Sequence, residues 1–219
     1  MRYIIVTKKI WNKDNFINLN KKFKILKKIQ KLKLKKLNPK IIFFIHWSKL
    51  IPKEIYNNYC CIQFHASNLP NGRGGSPIQN QILRNIEKTK ITAFKVSKNL
   101  DAGPICMKRK FELNGNAKTI YKNMETICLD MIKKIIKIKN IKFKKQIGKV
   151  TFFKRRKPSE SKINLSKTYS IDKIYDFLRM LDAPGYPNAF IELKDLKFTF
   201  NDIKKKKDEV IAKAIITRK

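Results

Sequence analysis

Cys61-Ile62-Gln63-Phe64-His65-Ala66-Ser67-Asn68-Leu69-Pro70-Asn71-Gly72-Arg73-Gly74-Gly75-Ser76-Pro77 is the stretch on which this sequence turns. An apolar run ends in a histidine and gives way to a loop dense in proline and glycine. Further on, Asn99-Leu100-Asp101-Ala102-Gly103-Pro104-Ile105 places an aspartate 36 residues after His65. Open α/β sheets deliver polar side chains to strand ends and hold ligands in the loops there. The pattern predicts an α/β fold in which His65 and Asp101 meet at such an end.

Outward from this stretch the elements alternate. Tyr3 to Thr7 reads as a first strand. Phe23 to Lys36, where lysine alternates with isoleucine and leucine, reads as a short strand followed by a helix. Asn38-Pro39-Lys40 breaks that helix, and Ile41-Ile42-Phe43-Phe44-Ile45 is a continuous apolar run, as suits a central parallel strand covered on both faces. A short helix within Ser48 to Tyr56 leads to the strand Cys60 to Phe64. Pro77 to Asn85 carries helical spacing, and Ile91 to Ser97 and Ile105 to Leu113 read as strands around Asp101. Ile120, Met124, Ile127, Met131 and Ile135 give Asn116 to Ile138 one apolar helical face, which we read as core.

Beyond it, Gln146 to Phe153 reads as a strand, Arg155 to Ser159 as a connection, and Ile171 to Leu181 as a second amphipathic helix ended by Pro184-Gly185-Tyr186-Pro187. Ala189 to Leu193, Lys197 to Asn201 and Val210 to Ile216 suggest a small β unit, with Lys204 to Lys207 as an exposed turn. Residues 1–150 are expected to form one mostly parallel Rossmann-like sheet flanked by helices, and residues 151–219 a small α+β extension of helix plus β-hairpin.

A chain of 219 residues buries one sizeable core. No apolar run approaches the roughly 20 residues that cross a bilayer, and the N-terminus lacks a signal-peptide pattern, so a cytoplasmic protein without membrane contact is expected. Cys60, Cys61, Cys106 and Cys128 have no metal-ligand spacing and read as reduced packing residues; no metal is expected. Cys60 and Cys61, adjacent in a strand, should point to opposite faces. The formal charge of +36 invites a nucleic-acid partner. Only eight of the 52 cations are arginine, however, and lysine is spread among abundant isoleucine and asparagine. That pattern suits the drift of an AT-rich genome better than a binding stripe.

The two quoted stretches resemble the folate-dependent formyltransferases, whose signature is a His, a Ser-x-Leu-Pro-x-x-Arg-Gly loop and an Asp-x-Gly at near-fixed spacing. The resemblance reaches, more weakly, from about Leu37 to about Ile191. It implies the formyltransferase fold, 10-formyltetrahydrofolate as formyl donor, His65 as the group that stabilises the oxyanion, and Asp101 as its partner and proton acceptor. Transfer of a formyl group to an amine builds negative charge on oxygen and releases a proton from nitrogen, and a His–carboxylate pair suits both needs.

The resemblance also implies a folate site that includes Leu69, Pro70, Arg73, Gly74, Gly75, Asn99 and Asp101, beside Ile45 to Leu50. One departure stands out: the family's Asn-x-His is here Gln63-Phe64-His65, which leaves the oxyanion role of Gln63 open. His46, beside Trp47 and without an acidic partner, reads as structural.

The roughly 70 residues after Lys149 are short for an oligonucleotide-binding barrel. The Gly-Arg-Gly-Gly-Ser-Pro loop and Leu178-Arg179-Met180-Leu181-Asp182-Ala183 resemble the sugar N-formyltransferases. The expected acceptor is therefore a nucleotide-linked amino sugar, with initiator tRNA second. A non-catalytic, lysine-rich nucleic-acid-binding protein on the same scaffold and a formyltetrahydrofolate hydrolase are the rivals. A homodimer through Trp47, Phe190 and Phe198 stays open.

Overall fold

The computed structural model describes residues 3–17, 19, 22–29 and 31–219, so Met1 and Arg2 of the N-terminal stretch lie outside the described residues. Five short units open the chain: β1 (Tyr3–Val6), α1 (Asp14–Ile17), β2 (Phe23–Leu26), α2 (Lys31–Leu37) and β3 (Ile41–Phe44). Then come α3 (Lys53–Asn58), β4 (Cys61–His65), β5 (Arg73–Gly74), α4 (Pro77–Ile82), β6 (Lys88–Lys95) and β7 (Ile105–Glu112). The long helix α5 (Ala117–Ile135) is followed by β8 (Phe152–Phe153), α6 (Ile171–Arg179), β9 (Phe190–Leu193), β10 (Leu196–Lys205) and β11 (Val210–Arg218).

Six strands make the main sheet in the order β2-β1-β3-β4-β6-β7. The first four run parallel, and β6 and β7 are antiparallel to their neighbours. Continuous apolar runs build β1 and β3 because side chains leave the two faces alternately and both faces are covered. Tyr3, Ile5, Ile41 and Phe43 join the larger cluster, on which α5 packs, while Ile4, Val6, Ile42 and Phe44 join a smaller one with Leu34 and Ile55. Cys61 falls in the second cluster and Cys60 against the first, so the adjacent thiols do face opposite ways.

α5 starts at Asn116, whose side chain accepts the Thr119 amide at 3.0 Å and satisfies one of the donors a helix start leaves bare. Its buried face includes Ile120, Met124, Met131 and Ile135, as the spacing predicts.

The C-terminal extension is the expected small α+β unit, α6 with β9, β10 and β11, and differs only in its sheet. It is a three-stranded antiparallel sheet, β11-β10-β9, not a hairpin, and Lys204 and Lys205 lie within β10. The turn is closed one step later by Lys206 donating to the Glu209 carbonyl. Two buried charges fasten the extension to the main body. Arg179 donates to the carbonyls of Leu113 and Gly115 at 2.6 and 2.7 Å, and Asp182 accepts from Asn116 Nδ2 and from the Ile203 amide. The Leu178–Ala183 segment thus closes the core.

The expected strand over Gln146–Phe153 shrinks to Phe152–Phe153. That pair runs parallel to Arg73–Gly74, far back in sequence, and physically belongs to the glycine loop. Ahead of it the backbone pairs only in isolated places, Lys144 with Ile105 and Thr151 with Arg73 and Pro70.

Candidate active site

β4 ends at His65, and the ring is fixed at once. Nε2 lies 2.7 Å from the Gly72 carbonyl, which can only accept, so Nε2 carries a proton. Ser67 Oγ donates to the same carbonyl at 3.1 Å. The other ring nitrogen, Nδ1, stands 3.6 Å from Asp101 Oδ2. Both side chains are buried, at 6 % and 5 % exposure, so their interaction is little screened. Asp101 sits at φ +49°, in the left-handed region that aspartate tolerates better than bulkier residues. Its Oδ2 also accepts the Gly74 amide at 2.9 Å.

The backbone around this pair is held by amide side chains that the sequence did not advertise. Gln146 Oε1 accepts from Arg73 Nη2 at 2.7 Å, and its Nε2 donates to the carbonyls of Asp101 and Gly103 at 2.8 and 2.9 Å. Gln81 Nε2 donates to the Ala66 carbonyl at 2.7 Å, and Asn80 Nδ2 to the Lys154 carbonyl at 2.9 Å.

Gly72 and Gly74 carry positive φ and admit close neighbours. A Cβ on Gly74, which has φ +102°, would lie 2.5 Å from the Phe153 carbonyl oxygen. One on Gly103 would lie 1.7 Å from the Lys95 carbonyl oxygen. The glycines admit other parts of this chain.

A cavity of about 890 Å³ opens beside the pair, within the range of small-molecule sites. Gln63, two residues before His65 on the same face of β4, lines it, as do Gly74, Gly75, Asn99 and Asp101. The remaining three residues expected at the folate site do not line it. Leu69 is fully buried, Pro70 is buried in the loop, and the Arg73 guanidinium is turned to Gln146. They shape the loop from behind, while Gly74, Gly75, Ser76 and Pro77 line the cavity.

His46 is placed in the cavity wall, at the end of β3 with φ +51°. Trp11 and Tyr121 meet its ring edge-on, and Nε2 is buried without a partner. Burial, aided by the nearby charge of Lys9, pulls its pKa from 6.5 down to about 3, so the ring is neutral. Tyr121, stacked between Trp11 and Tyr186, completes an aromatic end of the cavity. The apolar spacing of α5 includes no signal for Tyr121, and Gln146 had none at all. No group of three or more possible metal ligands occurs among the described residues. No described helix is long and apolar enough to cross a membrane.

The formyl transferase family model matches residues 5–127, and that of the methionyl-tRNA formyltransferase C-terminal domain matches residues 158–217. The curated methionyl-tRNA formyltransferase of Thermodesulfovibrio yellowstonii is 32% identical over 170 residues, 74% of this chain and 54% of that relative. The chain thus spans a little over half the length of the curated relatives it matches. A solved methionyl-tRNA formyltransferase from Clostridium thermocellum is 41% identical with a TM-score of 0.93, and the match covers 100% of both chains.

A likely sugar N-formyltransferase from Mycobacterium tuberculosis matches at 14% identity and TM-score 0.73, which shows a shared fold alone. These findings overturn the nucleotide-linked amino sugar as acceptor. The sequence argument rested on an extension too short for a barrel, yet a chain matched end to end with this one is itself a methionyl-tRNA formyltransferase.

Proposed function

The chain belongs to the formyl transferase family, and we propose that it transfers a formyl group to the amino group of methionyl-tRNA, with 10-formyltetrahydrofolate, the family's donor, as the source. The observation that carries this is the end-to-end match at 41% identity, joined to a His65–Asp101 pair on the cavity wall.

The cavity suits the donor. Ile51, Phe94 and Val96 offer apolar walls to a flat heterocycle, and Trp47 Nε1 is a buried N–H donor with no acceptor among the described residues. The reaction forms a bond from the acceptor nitrogen to the formyl carbon and breaks the bond from that carbon to the folate nitrogen. One proton moves from the first nitrogen to the second. Asp101, held by the Gly74 amide and by Gln146, is the group placed to take that proton. His65, with one ring N–H committed to Gly72, turns its other nitrogen to the carboxylate and shares the charge as it changes. Gln63 offers an amide donor on the same strand face. Groups of this kind are each typically worth about 10²- to 10⁴-fold in rate. We place the boundary between the formyltransferase unit and the extension after residue 157, since Phe152–Phe153 pairs with the glycine loop.

The test incubates the protein with 10-formyltetrahydrofolate and charged initiator tRNA, then examines the released amino acid by mass spectrometry. N-formylmethionine is expected. Intact, unformylated methionine from a protein that binds the folate would overturn the proposal.

A further inference from the structure

Glu125 stands on the buried face of α5 with its side chain removed from solvent. An apolar residue would fill this place without the cost of burying a carboxylate, so the charge needs an account. Its two oxygens supply one. Oε2 accepts the Trp11 amide at 2.9 Å and Oε1 accepts the Asn12 amide at 2.8 Å, a pair of bonds that an ionised carboxylate fits. Both amides belong to the loop after β1. That loop leaves the carboxyl end of a parallel strand, where α/β sheets hold their ligands.

The same loop is tied to the cavity wall. Trp11 stacks on Tyr121, one helical turn before Glu125, with ring centroids 4.7 Å apart and planes 10° from parallel. Its ring also meets His46 edge-on and Tyr186 at an angle, each with centroids 6.2 Å away. Lys9 Nζ lies 4.0 Å from the Trp11 ring centroid and donates to the Pro184 carbonyl, two residues before Tyr186. Further along, Asn15 Nδ2 donates to Thr126 Oγ1 at 3.0 Å.

His46, Tyr121 and Tyr186 line the cavity, and Trp11 backs all three. The indole has no hydrogen bond to hold it, since Nε1 is buried without a partner among the described residues. Its place is therefore set by the rings around it and by its own backbone, and Glu125 fixes that backbone. One helix grips the loop twice, through the Tyr121 ring and through the carboxylate four residues on.

We propose that Glu125 is a positioning residue, which acts through Trp11 to set the aromatic end of the cavity. It touches neither substrate and takes no part in the proton transfer at Asp101. Its effect falls on the acceptor, because Ile51, Phe94 and Val96 wall the part of the cavity given to the folate. That division of the cavity rests on the function proposed above; the grip on Trp11 does not.

The experiment measures formyl transfer by the full chain for Glu125→Gln, Trp11→Ala and the two combined. Glutamine keeps the size of the side chain but turns a donor on one of the two amides. Glu125→Gln should lower kcat/KM for charged tRNA by about 10- to 100-fold, through KM, and leave KM for the folate within about twofold. Glu125→Asp, a methylene shorter with its charge kept, is the milder second variant and should show a smaller loss of the same kind. The combined variant should be no worse than Trp11→Ala alone, because both changes break one connection. Multiplied losses in the combined variant would overturn the proposal, as would a rise in KM confined to the folate. So would Trp11→Ala within about twofold of wild type, whatever the Glu125 variants do. In a Trp47→Phe chain Trp11 is the one tryptophan left, and its emission reports the loop without any reaction. Glu125→Gln should shift that emission to the red, with thermal unfolding confirming a folded chain. A red shift with no formylation by the wild-type chain would sink the proposed function and spare Glu125; formylation with an unchanged emission would do the opposite.

Discussion

The Gly74 amide and the Asp101 carboxylate are 2.9 Å apart, and that bond ties the turn bearing the acid to the loop bearing the glycines. Asp101 Oδ2 is thereby held between a fixed N–H and the His65 ring, 3.6 Å away. A carboxylate so placed is oriented before any substrate arrives.

Asp101→Asn keeps the shape of the side chain and removes its charge. The expected result is a fall in kcat/KM of about 10²- to 10⁴-fold, with KM for the folate little changed. Asparagine also tolerates the left-handed backbone at this position, so the unfolding temperature should stay within a few degrees of wild type. His65→Ala should lose activity on the same scale. Steady-state kinetics with either variant near normal turnover would remove the pair from the mechanism.

Gln146→Ala leaves the Arg73 guanidinium and the carbonyls of Asp101 and Gly103 without a shared partner. We expect a stability loss of about 1–3 kcal/mol by chemical denaturation and a fall of about 10- to 100-fold in kcat, because the turn that carries Asp101 is set loose. Gln146→Glu keeps the acceptor for Arg73 but cannot donate to the carbonyls; it should recover part of the stability and little of the rate. Equal recovery of both would make Gln146 a brace for the loop alone.

Gly103→Ala drives a methyl group to within 1.7 Å of the Lys95 carbonyl oxygen. The clash is with backbone, which has little room to yield, so a loss of about 3 kcal/mol or failure to fold is expected. Gly115→Ala is the contrast. Its added atom meets Thr119 at 3.4 Å, and the strain of φ +82° should cost about 1 kcal/mol. Denaturation midpoints of the two variants decide between them.

His46 gives the fold an acid sensitivity with a definite sign. Its folded pKa is lowered to about 3 by burial and by Lys9, whereas the unfolded ring titrates near 6.5. Below about pH 6.5 the unfolded chain gains a proton that the native ring refuses. Stability therefore falls as pH drops, by up to about 1.4 kcal/mol per pH unit, until about pH 3. His46→Phe should flatten that dependence between pH 6.5 and 5. Parallel stability curves for wild type and variant would show that the ring does not titrate as argued.

The chain's long-range chemistry was partly legible in its residues. His65 and Asp101 were identifiable because each follows an apolar run and their separation matches the family's register. The β1, β3 and β4 runs were legible because a strand covered on both faces needs unbroken apolar sequence. Gln146 was not, because a buried amide that binds backbone carbonyls leaves no periodicity. The glycines of the loop were visible in the sequence, but what they approach was not: Phe153 lies in a distant stretch. Leu69, Pro70 and Arg73 were drawn into the folate site by their place in the motif, though Leu69 and Pro70 are buried and Arg73 turns to Gln146. The acceptor was misjudged from the length of the extension and from the likeness of the Gly-Arg-Gly-Gly-Ser-Pro loop and Leu178–Ala183 to the sugar N-formyltransferases, and neither length nor a loop shared by the fold says what a surface binds.

The pairing of β8 with the glycine loop has a consequence for the order in which the molecule is made. The His65–Asp101 pair is complete in sequence once residue 101 has been added, but the loop beneath it is not. Gly72 takes a bond from its amide to Thr151 Oγ1, and Arg73 and Gly75 donate to the carbonyls of Thr151 and Phe153. A nascent chain that has not yet released residues 151–153 from the ribosome holds both His65 and Asp101 and no fixed loop to hold them in place. Those three residues fix the loop, and the core and the cavity wall close later still, with Leu178–Ala183 and Tyr186.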